Sequence, residues 1–222
     1  MHRLHNEPRL QGAPETAGAT IHWGAHYDVL SRMLGMGVNS GSSRMVIELA
    51  DVKPGNAVLD VACGTGNLTL TAHSYAGSSG QVHGIDAAPE MIQVARQKAA
   101  RSGIPVAFDV GLAEKLAFAD ETFDVVISRL AIHHLPDDLK RTAFGEILRV
   151  LKPGGTLLIA DFVPPSSPIL NHIVSALVGS HMMQTNVWGL PSMLSEAGFE
   201  EVSSGRTPSA ILAFVRGKKR TR

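Results

Sequence analysis

Apolar residues along the chain alternate between strand-like runs and helical spacing. Apolar runs rich in β-branched residues predict five buried strands, near residues 57–62, 81–86, 106–110, 123–128 and 156–161. Between them, apolar positions three or four residues apart predict helices over 89–102 and 136–151. Strands that alternate with helices in this way predict a parallel sheet covered on both faces.

The two ends of the chain follow other patterns. A short helix over 190–197 precedes two strands, near 201–204 and 210–215, which are close enough in sequence to form a hairpin. This hairpin predicts one antiparallel strand at the edge of the sheet and brings the number of strands to seven. At the start of the chain, helical spacing over 23–36 and 43–50 predicts a small helical cover.

These elements predict an α/β fold with a doubly wound, seven-stranded, mostly parallel sheet. With 222 residues the chain is long enough for one substantial core. We expect residues 1–45 to form an N-terminal arm and helical cover, and residues 46–222 to form the main domain. Residues 163–188 are expected to form an insert within that domain.

The composition is that of an ordinary globular protein, with 18% charged residues and a formal net charge of zero. This balance gives no electrostatic reason to expect a nucleic-acid partner. The single cysteine, Cys63, excludes an internal disulfide and a multi-cysteine metal site, so we expect no metal. No apolar stretch predicts a secretory signal or a membrane span. We therefore expect a cytoplasmic monomer or homodimer that acts on a small molecule.

The strongest chemical signal lies where the first strand ends. Residues 58–67 read Val-Leu-Asp-Val-Ala-Cys-Gly-Thr-Gly-Asn, so a buried strand is followed by Gly64, Gly66 and a helix. Glycines allow a tight turn and close approach to a ligand, and the helix N-terminus offers unpaired N–H groups. Because ligands bind at the carboxyl ends of strands in open parallel sheets, this pattern predicts a ligand site.

Two further residues indicate which ligand binds there. A dinucleotide fingerprint has a third glycine where this chain has Thr69, which weighs against a nicotinamide-dependent oxidoreductase. Asp86 ends the second strand, and a carboxylate at that position can accept both ribose hydroxyls of an adenosine. The chain has no Gly-Lys-Ser/Thr phosphate loop. These features favour a ligand that contains adenosine and lacks a pyrophosphate.

Five segments together resemble the class I S-adenosylmethionine (SAM)-dependent methyltransferases, in particular the branch similar to ubiquinone/menaquinone biosynthesis methyltransferases. They are residues 58–66, 84–91, 123–126, 133–137 and 151–155. The resemblance implies a Rossmann-like fold, SAM as cofactor and methyl transfer to a small molecule, with apolar and aromatic acceptors among the candidates. A SAM-binding protein of the same fold that transfers no methyl group remains the alternative.

The resemblance also implies roles for residues at the methionine end of the cofactor. Asp60, Gly64 and Gly66 would shape the pocket for the methionine moiety, and Arg129 would lie near it. Tyr27 would fold over the cofactor.

At the adenosine end, the resemblance places Asp86 on the ribose. Ala87, Met91, Ala113 and Glu114 would border the adenine. Many relatives have an aspartate where this chain has Leu112, so here the adenine amino group must find another partner. Quinone-specific members also differ from this chain over 129–134, so the sequence does not favour a quinone over other acceptors.

Methyl transfer needs a general base only if the acceptor is still protonated near neutral pH. The candidates are histidines. His133 and His134 follow the fourth strand on the ligand side of the sheet, and the others are His22 and His26 in the N-terminal cover and His181 in the insert. The resemblance implies that the N-terminal helices and the insert cover the acceptor. Residues there that we expect near the substrate are His22, His26, His181, Met182 and Trp188.

Overall fold

The computed structural model of the protein describes residues 14, 16, 40–164, 167, 172, 186–209 and 211–221. The strands are β1 (Ala57–Val61), β2 (Gln81–Asp86), β3 (Ala107–Val110), β4 (Phe123–Arg129), β5 (Leu151–Phe162), β6 (Glu200–Arg206) and β7 (Leu212–Lys218). The helices are α1 (Gly41–Leu49), α2 (Asn67–Ala76), α3 (Pro89–Ser102), α4 (Asp137–Val150) and α5 (Leu190–Ala197). Short 3-10 turns span Ile132–His134 and Val187–Gly189.

All seven strands form one sheet in the order β3-β2-β1-β4-β5-β7-β6. Strands β1 to β5 run parallel, and β7 pairs antiparallel with both β5 and β6. The antiparallel strand was expected at the edge of the sheet, but β7 lies one position inside it because β6 forms the edge. The predicted fold class is confirmed.

The strand order reverses at β1, which lies between β2 and β4. Chain segments leaving β1 and β4 therefore turn to opposite faces of the sheet, and a crevice opens between them at the carboxyl ends of these strands. This crevice holds the candidate site.

Two apolar layers hold the helices against the sheet. Neighbouring side chains on a strand point to opposite faces, and β1 shows this directly. Val58 packs with Val46 and Ile47 of α1, whereas Leu59 belongs to the layer that includes Phe144 of α4. Both faces of β1 are thus buried, which makes the strand a rigid support for the loop that follows it.

Several predicted bounds agree with the structure, and others differ: β5 begins at Leu151, before its predicted start at residue 156, and β7 ends at Lys218, beyond its predicted end at residue 215. Strand β2 and helix α3 occupy the residues predicted for them. Helix α1 begins at Gly41, before the predicted start at residue 43, because the Ser40 side chain caps it by accepting a hydrogen bond from the Ser43 N–H at 3.2 Å. The division proposed at residue 45 therefore falls inside α1. The helix predicted over 23–36 lies outside the described residues.

Within the described ranges, no helix combines the length and the apolar composition needed to cross a membrane.

Candidate functional site

A cleft lies at the carboxyl ends of β1, β2 and β4. Its volume is about 1030 Å³, including the open solvent at its mouth. Predicted cofactor residues on its walls are Asp60, Gly64, Asp86, Ala87, Met91, Ala113, Glu114 and Arg129. The structure therefore brings together, at one crevice, side chains that are up to 69 positions apart in sequence.

The loop between β1 and α2 turns through left-handed backbone conformations. Ala62, Gly64 and Gly66 have φ values of 57°, 54° and 79°. Gly64 lines the cleft, but Gly66 is not among its lining residues. A Cβ at residue 66 would lie 2.7 Å from the ring of Phe108, so this glycine allows the loop to pack against β3. Direct contact of Gly66 with the cofactor stays a prediction.

Both carboxylate oxygens of Asp86 accept backbone hydrogen bonds. The Gly64 N–H donates to Oδ2 at 2.8 Å, and the Ala88 N–H donates to Oδ1 at 2.9 Å. These bonds join the glycine loop to the end of β2 and fix the direction of the carboxylate. A carboxylate accepts hydrogen bonds through both of its oxygens, which is the chemistry that a pair of ligand hydroxyls requires.

Asp60 is the most deeply buried acid of the cleft, with 1% of its surface exposed. Its Oδ2 accepts a hydrogen bond from the Thr69 hydroxyl at 2.6 Å. Burial raises the pKa of Asp60 from its ordinary 3.8 to about 7, and the nearby Asp86 adds to the increase; the Thr69 hydroxyl and the Arg129 charge oppose it. A cation bound beside Asp60 would favour its ionised form.

Thr69 is a site residue that the sequence analysis missed. It was considered only because it replaces the third glycine of a dinucleotide fingerprint. Its position on the first turn of α2, directly after the glycine loop, was a signal that its hydroxyl could reach the buried Asp60.

Arg129 links the cleft to the first helix. It ends β4, and its guanidinium donates to the hydroxyl of the buried Ser43 at 2.9 Å. Helix α1 is thereby held at the methionine end of the predicted site, next to Asp60. Sequence reasoning placed Arg129 here but gave no indication of Ser43, because the two residues are 86 positions apart.

Lys98 forms hydrogen bonds with two residues of the glycine loop and the start of α2. The Lys98 ammonium of α3 donates to Asn67 Oδ1 at 2.6 Å and to Thr65 Oγ1 at 3.2 Å. Thr65 and Asn67 both line the cleft. Lys98 was not predicted as a site residue, because a lysine on an amphipathic helix usually lies on a solvent-exposed face.

The predicted adenine end of the cleft is bordered by Met91, Leu112, Ala113 and Glu114. Glu114 accepts a hydrogen bond from the hydroxyl of Thr16 at 2.6 Å. Thr16 also lines the cleft, so a residue of the N-terminal arm closes this end.

His133 forms a buried pair with an acid that the sequence analysis did not consider. Its Nδ1 lies 2.5 Å from Asp161 Oδ1, and its backbone N–H donates to Asp161 Oδ2 at 3.0 Å. The two side chains are 2% and 1% exposed. The neighbouring His134 lines the cleft, and the two imidazole rings lie 4.0 Å apart between centroids.

Most of the remaining predicted site residues lie outside the part of the chain that the structure describes. Tyr27, predicted to cover the cofactor, and His22, His26, His181 and Met182 lie outside the described residues. Trp188 is described: its indole is 46% exposed, and the Arg206 guanidinium lies 5.9 Å from the ring centroid. It is not among the described cleft residues, so its contact with an acceptor stays a prediction.

Cys63 sits in the glycine loop but is poorly suited to nucleophilic chemistry. Burial raises the pKa of its thiol well above the ordinary 9.0, and the charges of Asp60 and Asp86 raise it further. The thiolate is the reactive form, so Cys63 acts as a packing residue at neutral pH. Among the described residues, no group of three or more His, Cys, Asp or Glu side chains is arranged to hold a metal ion.

The chemistry of the walls fits SAM better than a dinucleotide. Two carboxylates, Asp60 and Asp86, point into the same cleft, where a pyrophosphate would be repelled and a sulfonium would be attracted. Apolar side chains at Met91 and Leu112 suit the faces of an adenine. The donor set therefore matches a cationic ligand that carries an adenosine.

Comparison with known proteins decides the family. A family model described as a methyltransferase domain matches residues 52–201. The ubiquinone/menaquinone biosynthesis C-methyltransferase UbiE of Azotobacter vinelandii is 34% identical, and the alignment covers 96% of this chain and 92% of the relative. The enzyme of the same name from Ectopseudomonas mendocina is 33% identical over 96% of this chain and 91% of its own length. This chain belongs to the SAM-dependent methyltransferase family.

A solved structure agrees with this assignment at the level of the fold. A SAM-dependent methyltransferase from Aquifex aeolicus superposes with a TM-score of 0.67 and 22% sequence identity, covering 87% of this chain and 95% of its own. This methyltransferase uses SAM to methylate a small molecule, and the alternative of a SAM-binding protein without methyl transfer is not favoured.

Proposed function

We propose that this methyltransferase adds a methyl group to a ring carbon of a quinol or related phenolic acceptor. The observation that supports this most is the alignment of nearly the whole chain with two enzymes named as quinone-biosynthesis C-methyltransferases. The sequence alone did not favour a quinone, because residues 129–134 differ from those of quinone-specific members. The cleft wall beyond β4 supports an aromatic acceptor, since it includes the apolar Leu130, Ile132 and Leu135.

The cofactor pose follows from the charges of the cleft. Asp86 accepts the ribose hydroxyls, with Met91 and Ala87 beside the adenine. Asp60, Gly64 and Arg129 surround the methionine moiety. When bound, SAM supplies a methyl group on a positively charged sulfur. The protein holds the acceptor behind that methyl group and excludes water, and such positioning contributes about 7–11 kcal/mol at best.

The acceptor proposal is tested with SAM that carries a ¹³C-labelled methyl group and a naphthoquinol whose ring position next to a hydroxyl is unsubstituted. We expect the label on a ring carbon, identified by NMR of the product. Label on oxygen would refute carbon methylation, and label on amine or thiol acceptors alone would refute a phenolic acceptor.

The cofactor pose is tested with Asp86→Asn. Because charged hydrogen bonds to the ribose are lost, we expect SAM binding to weaken by roughly 1–3 kcal/mol, measured by calorimetry. Asp109→Asn is the matched control. Asp109 lies on β3, forms ion pairs with His83 and Arg96, and has a side chain that is 58% exposed. Unchanged SAM affinity in Asp86→Asn would show that this carboxylate does not hold the ribose.

We also propose that the enzyme works in the cytoplasm as a monomer or homodimer, without a nucleic-acid partner. The formal net charge of zero supports the last point, because nucleic-acid binding is dominated by phosphate contacts with a basic surface. Light scattering after gel filtration measures the mass. A salt-dependent shift in the presence of duplex DNA or RNA would contradict the proposal.

A further inference from the structure

Glu114 lies where the order of the strands places the base of a bound nucleoside. Asp60 lies on β1, Asp86 ends β2, and Glu114 lies in the loop after β3. Because neighbouring strands are about 4.8 Å apart, the ends of β1 and β3 are about 10 Å apart, which is comparable with the length of a nucleoside. A SAM molecule with its methionine moiety at β1 and its ribose at β2 therefore brings its adenine to the loop after β3.

The loop that carries Glu114 is fastened at both ends. At its start, the Gly111 backbone N–H donates to the Asp86 carbonyl at 3.0 Å. At its end, the Leu116 backbone N–H donates to Glu146 Oε2 at 2.8 Å. The backbone of Glu114 is thereby held in place by contacts within the protein.

The two oxygens of the Glu114 carboxyl group have different surroundings. The Thr16 hydroxyl donates to Oε1 at 2.6 Å, and this is the only hydrogen bond or ion pair of Glu114 within the part of the chain that the structure describes. Oε2 has no such partner, and it is not among the enclosed, unpartnered side-chain atoms of the described residues. Since Glu114 lines the cleft, Oε2 is an acceptor that a ligand in the cleft can reach.

The other side chains beside Glu114 are apolar. Leu112 and Ala113 line this end of the cleft and have no polar side-chain atom, and Met91 offers only a thioether. These side chains suit the faces of a purine, but they leave its 6-amino group without a good acceptor. A donor enclosed without an acceptor costs free energy, and Glu114 Oε2 supplies the acceptor that is needed.

We propose that Glu114 Oε2 accepts a hydrogen bond from the 6-amino group of the cofactor's adenine and that Thr16 positions the carboxyl group for this contact. The inference rests on the proposed cofactor pose. A purine without the amino group leaves Oε2 unpaired and binds more weakly, so Glu114 selects a 6-aminopurine. Because Thr16 belongs to the N-terminal arm, the arm takes part in cofactor selection.

The test is a double-mutant cycle between protein and ligand. Calorimetry compares S-adenosylhomocysteine with the analogue in which a hydrogen atom replaces the 6-amino group of the adenine. Wild type should prefer S-adenosylhomocysteine by about tenfold or more, as expected for one hydrogen bond to a carboxylate. Glu114→Met keeps the length of the side chain and removes both oxygens, so the two ligands should then bind within about twofold of each other, the usual error of such cycles.

Two results would overturn the role of Glu114. One is equal affinity of wild type for the two ligands, and the other is a preference in Glu114→Met as large as that of wild type. Glu200→Met is the matched control, since Glu200 lies on the edge strand β6, forms an ion pair with Arg220 at 2.6 Å and is not among the described cleft residues. Its preference should equal that of wild type, and a preference lost there as well would show that the ratio does not report contact with the adenine.

Thr16→Val tests the positioning role separately. The variant keeps the shape of the side chain and removes the hydroxyl, so we expect a preference between those of wild type and Glu114→Met. A purely structural role would weaken both ligands equally and leave the ratio unchanged. That result would refute positioning by Thr16.

Asp86→Asn distinguishes this inference from the cofactor pose. If Asp86→Asn weakens S-adenosylhomocysteine binding while wild type binds both ligands equally, the ribose assignment stands and the role of Glu114 is wrong. If Glu114→Met abolishes the preference while Asp86→Asn binds like wild type, the role of Glu114 stands and the ribose assignment is wrong. Unchanged binding in both variants would refute both.

Discussion

Asp60 provides a direct test of whether a buried carboxylate in the cleft controls protein stability and SAM binding. The perturbation is Asp60→Asn, which keeps the size of the side chain and an oxygen that can accept from Thr69 while removing the ionisable group. In the folded protein the pKa of Asp60 is about 7, against an ordinary value of 3.8. At about 1.36 kcal/mol for each pKa unit, keeping this carboxylate ionised in the empty site costs roughly 4 kcal/mol.

The sign of the effect on stability follows from these two values. Between pH 3.8 and about 7 the folded protein binds the proton more tightly than the unfolded chain does. The contribution of Asp60 to stability is therefore fully present below pH 3.8 and is lost as the pH rises through about 7. Relative to wild type, Asp60→Asn should become progressively more stable over this range.

Cofactor binding should have the opposite dependence on pH. SAM brings a positive sulfur to the cleft, and a cation beside a carboxylate lowers its pKa by about 1–3 units. Binding should then release a proton, and SAM affinity should rise about tenfold between pH 6 and 8 before levelling off. S-adenosylhomocysteine, which lacks the sulfonium charge, should show a smaller rise.

Calorimetry in buffers of different ionisation enthalpy counts the protons released, and urea denaturation across the same pH range measures stability. Asp60→Asn should release none of the protons assigned to this group. If the variant kept the full pH dependence of wild type, the coupled group would be another residue and the argument from Asp60 would be wrong.

Three further predictions follow from contacts around the glycine loop. Thr69→Val removes the hydroxyl that lowers the pKa of Asp60, so the midpoint of the pH dependence of SAM affinity should move to higher pH; an unmoved midpoint in calorimetry would contradict this. Gly66→Ala should lower the free energy of unfolding in urea by roughly 2–4 kcal/mol, because φ is positive and the Cβ meets an aromatic ring of β3. Its control is Gly145→Ala in α4, where nothing lies within 4 Å of the added Cβ and no loss is expected. Cys63 should react slowly with iodoacetamide in the native protein, because its pKa is raised, and quickly after unfolding; fast native alkylation monitored by mass spectrometry would contradict the burial argument.

The part of the fold that follows from local pattern was predictable from the sequence. Strand β2 is bounded by turn residues, and helix α3 begins at Pro89 and ends before Gly103, so chemistry at both ends fixes its limits. Gly64 and Asp86 were predicted for the same reason, since each comes at the end of a recognisable buried strand.

The contacts that depend on register between distant segments were not predictable. Parallel pairing of β4 with β5 sets Arg129 opposite Ala160, so the turn after β4 arrives beside Asp161. Nothing local to His133 indicates that partner, which lies 28 residues away. Helix α1 meets Arg129 through Ser43 in the same way, across 86 residues. The pattern gives strands and helices, whereas these side-chain pairs exist only once the sheet order is known.

The sheet divides the chemistry of the site between its strands. The ends of β1 and β2 carry the carboxylates and the glycine loop, and their bonds to each other make a rigid pocket with negative charge that suits one cationic cofactor. The turn after β4 carries the apolar Leu130, Ile132 and Leu135, which also line the cleft. We therefore expect the residues that select the acceptor to lie in the turn after β4, away from the carboxylates and the glycine loop. The donor could be predicted from the sequence because the glycine loop and Asp86 each follow a recognisable strand, whereas no comparable local pattern marks the residues that meet the acceptor.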